Sequence, residues 1–96
     1  MDNFSFLKSP NQINKDIAAR IRARRKEQNL SQVQLSERSD VSLGSIKRFE
    51  TKGEVSLTSL IKIAFALGLE SDFDLLFSKK GYSSIQEVIN DRLRHS

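Results

Sequence analysis

Apolar residues recur at spacings of three and four along most of this chain, and no stretch alternates long enough to read as a strand. Ser9-Pro10 followed by Gln12 resembles a helix start, with Ser9 as cap, Pro10 at the first helical position and Gln12 closing a capping box. Ile13, Ile17, Ala18 and Ile21 then line one face, which predicts a helix over about 10–28, ended by Asn29 in a left-handed turn. Ser31 with Gln34 is a second capping box. It opens a short helix to about Ser39, with Val33 or Leu35 turned inward, and Asp40 is the turn residue. Ser42 caps a third short helix in which Ile46 and Phe49 share a face while Lys47 and Arg48 point elsewhere; Lys52-Gly53-Glu54 breaks it. Ser56 caps a fourth, with Leu57, Leu60, Ile61, Ala64 and Leu67 as the buried stripe and Gly68 as the stop. Ser71 with Asp74 reads as a further capping box, opening a fifth helix that holds Phe73, Leu76 and Phe77. Ser84 with Glu87 starts a last amphipathic segment carrying Ile85, Val88, Ile89 and Leu93. The fold class is all-α.

Ninety-six residues make one domain with a small core. The pattern divides it into a flexible N-terminal arm over 1–9, a body over 10–78 and a C-terminal extension over 79–96. Phe4, Phe6 and Leu7 are unusual cargo for a loose end and suit packing on the body or on a partner.

Charge adds direction. The net charge is +4, but residues 14–30 carry six basic groups against Asp16 and Glu27, whereas residues 54–77 carry Lys62 against Glu54, Glu70, Asp72 and Asp74. One basic side and one acidic side suit a molecule that holds a polyanion on one face. A basic helix that touches only water has the same composition.

Other chemistries fall away. The absence of cysteine removes disulfides and thiolate metal sites, and a single histidine, His95, leaves little for a zinc centre. There is no glycine-rich phosphate loop and no nucleophile–histidine arrangement, so the expectation is no enzyme, no metal and no cofactor. The acidic trio Glu70, Asp72 and Asp74 sits at a helix start, where negative charge is favourable anyway. No apolar run approaches the roughly 18 residues that span a bilayer, and MDNFSFLKSPNQ lacks the pattern of a signal peptide. A cytoplasmic protein without a membrane partner is expected.

The informative unit is the pair of short helices over 32–51, joined by a tight turn and preceded by a basic helix. Such a pair leaves the outer face of its second helix free to enter a DNA major groove, about 12 Å wide. Lys47 and Arg48 lie on that helix; arginine offers two parallel donors to guanine O6 and N7, and lysine reaches a base edge or a phosphate. At the start of the preceding helix, free N–H groups and the Gln32 amide suit a phosphate.

Residues 21–69, IRARRKEQNLSQVQLSERSDVSLGSIKRFETKGEVSLTSLIKIAFALGL, resemble the Xre/Cro-type helix-turn-helix family, the fold of phage repressors. Arg22 and Arg25, Leu30-Ser31-Gln32, Leu35, Val41-Ser42, Ile46, Glu50 with Gly53, and Leu57, Leu60, Ala64 and Leu67-Gly68 carry the resemblance in order across four helices. It implies a five-helix repressor-like domain with a short C-terminal helical extension. By position it implies base reading by Leu43, Gly44, Lys47 and Arg48, and phosphate binding by Arg22, Arg25, Ser31, Gln32, Ser42, Lys52 and Ser56. It also implies an ion pair between Arg25 and Glu50, more structural than DNA-contacting.

Three departures matter. The family's turn glycine is Asp40 here, its usual helix-2 alanine is Ser36, and Gly44 has no side chain with which to read a base. Direct readout therefore rests mainly on Lys47 and Arg48, with Leu43 suited to a thymine methyl. Phe49 and Phe65 read as core or interface aromatics.

The expected partners are a double-stranded DNA operator and a second copy of the chain, since one such unit neutralises few phosphates. Phe73, Phe77, Ile85, Val88, Ile89 and Leu93 are the candidate dimer interface, or else fold back on their own subunit. The expected role is a repressor or autoregulator without a visible small-molecule effector domain. The phrase from Phe49 to Leu57 also resembles small regulators that accompany HipA-type kinases, which implies an antitoxin-like DNA-binding partner of such a kinase as the alternative. A protein-interaction module with little DNA binding is the third reading.

Overall fold

Four α-helices and one 3-10 helix are laid out between residues 10 and 75, and residues 89, 92 and 93 are also helical. The computed structural model describes residues 8–81 together with 89, 92 and 93. In order come α1 (Pro10–Glu27), α2 (Gln32–Ser39), α3 (Leu43–Lys52), α4 (Leu57–Leu67) and a 3-10 helix (Glu70–Leu75).

Serine starts each α-helix. Ser9, Ser31, Ser42 and Ser56 take extended backbone angles, and each hydroxyl accepts the backbone N–H three residues on. Each such cap contributes about 1 kcal/mol. Only at Ser31 is the box reciprocal, the Ser31 N–H donating to Gln34 Oε1 at 2.8 Å. The box expected at Ser9 is half made, because Gln12 Nε2 turns forward to Asp16 Oδ1 at 2.9 Å. The charge-assisted bond to that carboxylate one turn ahead draws the amide away from the Ser9 N–H that it would accept in a full box. Left-handed residues follow: Asn29 (φ 57°) after α1, Asp40 (φ 60°) after α2, Gly53 (φ 77°) after α3 and Gly68 (φ 75°) after α4.

The core joins Ala18 of α1, Leu30, Leu35, Val41, Ile46, Phe49, Ile63 and Leu67. α3 packs on α1 and α2, and α4 packs on α2 and α1, so α3 is held from two sides while its remaining face stays open. The turn between α2 and α3 is closed by two serines. Ser36 Oγ donates to the Val41 carbonyl at 2.6 Å, and Ser39 Oγ accepts the Val41 N–H at 3.2 Å. Ser36 thus holds the turn with a hydroxyl that alanine lacks.

The structure corrects several expectations. Leu35, not Val33, is the inward residue of α2; Val33 is 50% exposed. The buried residues of α4 are Ile63, Ala64 and Leu67, with Leu60 partly buried against the core; Ile61 is half-buried outside the core cluster, and Leu57, a turn before the core begins, is exposed. Phe65 lies outside the stripe and is exposed, so of the two aromatics only Phe49 is core. After α4 there is no α-helix capped by Ser71. The six-residue 3-10 helix there follows Leu69 at its N-cap position without a side-chain cap and releases Leu76 to extended backbone. Leu76 and Phe77 therefore lie beyond it, with Phe77 92% exposed and left-handed at φ 60°. The arm at 1–7, with Phe4, Phe6 and Leu7, lies outside the described residues, as do Ser84, Ile85, Glu87 and Val88. Lys8 and Ser9, assigned to the arm, are tied to α1, Lys8 Nζ reaching Asp16 Oδ2 at 2.7 Å.

Candidate nucleic-acid interface

The open face of α3 follows from its spacing. Ile46 and Phe49 are buried, so Gly44, Lys47, Arg48 and Thr51 make one exposed ridge on the opposite side. Leu43 is half-buried at its edge. Thr51 is committed locally, its hydroxyl donating to the Lys47 carbonyl at 2.7 Å. The longest exposed side chains of the ridge are Lys47 and Arg48.

On one flank lies a cluster around Glu50. Arg25 meets it through two parallel bonds, Nε to Oε2 at 2.7 Å and Nη2 to Oε1 at 2.8 Å. The third nitrogen of the guanidinium, Nη1, donates to the Leu30 carbonyl at 2.7 Å. Gln32 Nε2 donates to Glu50 Oε1 at 2.9 Å, and Arg22 Nε stands 3.8 Å from the same oxygen. Arg25 and Glu50 are buried (side chains 8% and 3% exposed), whereas Arg22 is 53% exposed. Burial raises the Glu50 pKa, but the hydrogen bonds from Arg25 and Gln32 and the charges of Arg25 and Arg22 outweigh it and hold the carboxyl below its ordinary range.

Charge counting then separates the roles. One carboxylate sits among two guanidiniums, which leaves one positive charge, and Arg22 is the exposed carrier of it. Gln32 spends one amide hydrogen on Glu50 and keeps the other. At the start of α2, the Ser31 and Gln34 N–H groups are used by the capping box and the Leu35 N–H by the Ser31 carbonyl. The Gln32 and Val33 N–H groups are the remaining donors of that turn.

The other phosphate candidates are placed differently. Arg25 is enclosed, all three of its guanidinium nitrogens engaged, so it positions Glu50 and Leu30 rather than reaching outward. Ser42 is tied to Ser45, its hydroxyl 2.8 Å from Ser45 Oγ, and Ser56 Oγ accepts the Ser59 N–H at 3.0 Å. Lys52 is exposed at the end of α3. Ser45, Arg48, Glu54, Val55, Ser56 and Ser59 line a shallow groove between α3 and the start of α4. Across it Arg48 Nη2 meets Glu54 Oε1 at 2.6 Å.

Glu54 is the residue that sequence reasoning passed over. It stands six positions after Arg48 and outside α3, so no helical spacing links the two. Of the candidate interface residues, Phe73 is half-buried in a groove of its own subunit with Ile17, Ile21, Leu60, Ala64 and Leu76, whereas Phe77, Ile89 and Leu93 are exposed. Ile85 and Val88 lie outside the described residues.

Among the described residues no group of histidine, cysteine or acidic side chains is arranged to hold a metal, and no helix is long and apolar enough to cross a membrane. No curated protein and no solved structure matches the chain. A family model described as helix-turn-helix matches residues 21–73, more than half the chain. This span runs from the last turns of α1 into the 3-10 helix and contains the Glu50 cluster and the open ridge of α3. The protein belongs to that family, the Xre/Cro-type helix-turn-helix DNA-binding regulators.

Proposed function

We propose that the protein is a dimeric, sequence-specific repressor or autoregulator that reads the major groove of double-stranded DNA with α3. The observation that carries this reading is the exposed ridge of α3, with Lys47 and Arg48 projecting from it, beside the Arg22–Gln32 edge of the Glu50 cluster. Arg48 supplies the guanine fork, Leu43 an apolar contact for thymine and Gly44 a close backbone approach. Lys47 reaches a base or phosphate. Arg22, Gln32, Ser31, Ser42, Lys52 and Ser56 hold the flanking phosphates, with Arg25 acting through Glu50. The body over 10–78 is the DNA-binding unit. The extension over 79–96, with Phe73 and Phe77, supplies the dimer contact, and the protein acts in the cytoplasm without cofactor or catalysis.

Fluorescence anisotropy at about 0.15 M salt tests it, with duplexes from the DNA upstream of the protein's own coding sequence and scrambled controls. Preference for the upstream duplex, weakened by Arg48→Ala, supports sequence reading; equal binding to both that falls steeply with salt leaves phosphate attraction alone. A second reading, an antitoxin-like partner of a HipA-type kinase, rests on the Phe49–Leu57 phrase and on the exposed apolar residues Phe65, Leu75 and Phe77, which suit a protein partner. Co-purification with the product of a neighbouring kinase-like gene distinguishes it.

A further inference from the structure

The Arg48–Glu54 pair is out of place on a surface meant for a polyanion. Its side chains are 60% and 52% exposed, and exposed ion pairs of this kind contribute little to stability. Glu54 also places a negative charge on the groove that Arg48 shares with Ser56, where phosphate attraction is the simple expectation. A residue that adds little to the fold and opposes non-specific DNA binding has its use elsewhere.

The backbone on both sides of Glu54 is closely packed. Gly53 is left-handed, its N–H donates to the Phe49 carbonyl at 2.8 Å, and a Cβ built on it would stand 2.8 Å from the Asn14 backbone. Val55, on the other side, packs against the core. Glu54 is therefore mounted between two anchored residues. Arg48, by contrast, is a long, exposed side chain with several rotamers to lose. A carboxylate on a fixed mount takes up one edge of the guanidinium and leaves its other donors for a second, planar partner.

We infer that Glu54 is a specificity-determining residue. It orients Arg48 for guanine recognition and, through its own charge, lowers affinity for DNA in which that guanine is missing. The inference rests on the reading of α3 as the DNA-reading helix. It makes Glu54 a positioning residue acting through Arg48, not a base contact.

The test uses the full chain and the tightest duplex that it recovers from a randomised pool, with a scrambled duplex of equal length. Wild type, Glu54→Gln, Arg48→Ala and the double variant are titrated by anisotropy. Glu54→Gln is expected to tighten scrambled-duplex binding about threefold and to reduce discrimination about tenfold. With Arg48 already replaced, the same substitution leaves discrimination unchanged. The inference is overturned if Glu54→Gln tightens both duplexes equally, or if it costs as much discrimination without Arg48 as with it. If wild type enriches no sequence, the DNA-reading proposal falls and this inference falls with it. Circular dichroism of each variant establishes that the comparison is between folded proteins.

Discussion

Arg25 and Glu50, 25 positions apart, meet through two parallel hydrogen bonds inside the junction of α1, α2 and α3. The pair sets the orientation of α3, because Arg25 also holds the Leu30 carbonyl at the entry to α2 and Glu50 also holds Gln32 in its first turn. Removing one partner strands the other. Glu50→Ala should cost about 3–5 kcal/mol, a large part of the roughly 5–15 kcal/mol available to a domain. Replacing both residues by methionine should cost much less, since neither charge is then left unpaired. Urea midpoints decide it. A loss below about 1 kcal/mol for Glu50→Ala would mean that water reaches Arg25 and the junction is looser than the geometry implies.

The same pair sets an acid limit. The Glu50 carboxyl binds its proton less readily in the folded chain than in the unfolded one, so its folded pKa is depressed. Its contribution to stability is therefore fully present above the unfolded value and is lost as pH falls through the folded one. Asp16 shifts the same way, held down by hydrogen bonds from Lys8 and Gln12. Urea midpoints measured from about pH 7 to about pH 3 should fall for wild type and for Asp16→Asn. The gap between wild type and Glu50→Gln should narrow toward the acid end. A constant gap would place the titration elsewhere.

Gly53 and Gly68 look alike in sequence, each stopping a helix, and both are left-handed at φ 77° and 75°. Their surroundings differ. A Cβ at Gly53 meets the backbone and Cβ of Asn14 in α1, whereas nothing lies within 4 Å of one at Gly68. Gly68→Ala should cost about 1 kcal/mol for backbone strain alone. Gly53→Ala should cost about 1–3 kcal/mol more, because α1 must move away from α3. Thermal midpoints of the two variants check the order, and equal losses would show that α1 gives way freely.

How much of this was legible beforehand depended on range. The four serine caps and the left-handed stops at Asn29, Asp40, Gly53 and Gly68 are local, set by a few neighbouring residues, and the sequence shows them. Burial of Ile46 and Phe49 follows from helical spacing. Leu57 failed because spacing marks a face and not where along the helix the core begins. The segment after Gly68 failed because Ser71 and Asp74 fit a capping box equally well in a helix that does not form; with Glu70, Asp72 and Asp74 in six residues, too few apolar positions remain to dock an α-helix. Glu54 was invisible for a third reason: its contact with Arg48 crosses a loop whose path depends on Gly53 against Asn14.

Gly44 offers the sharpest separation of folding from function. It lies in the first turn of α3, exposed, without a left-handed backbone, and a Cβ there would meet nothing within 4 Å. Neither packing nor conformation requires glycine, and glycine in a helix is disfavoured by roughly 0.5–1 kcal/mol relative to alanine. If the ridge of α3 enters a major groove, a glycine beside Lys47 and Arg48 lets the backbone approach the bases more closely than any side chain permits. Gly44→Ala should then raise stability by about 0.5 kcal/mol while weakening binding to the preferred duplex about threefold or more. Thermal melts and anisotropy on one preparation read both effects. A variant that is stabilised and binds as tightly as wild type would leave Gly44 without a part in DNA contact, and base reading would then narrow to Leu43, Lys47 and Arg48.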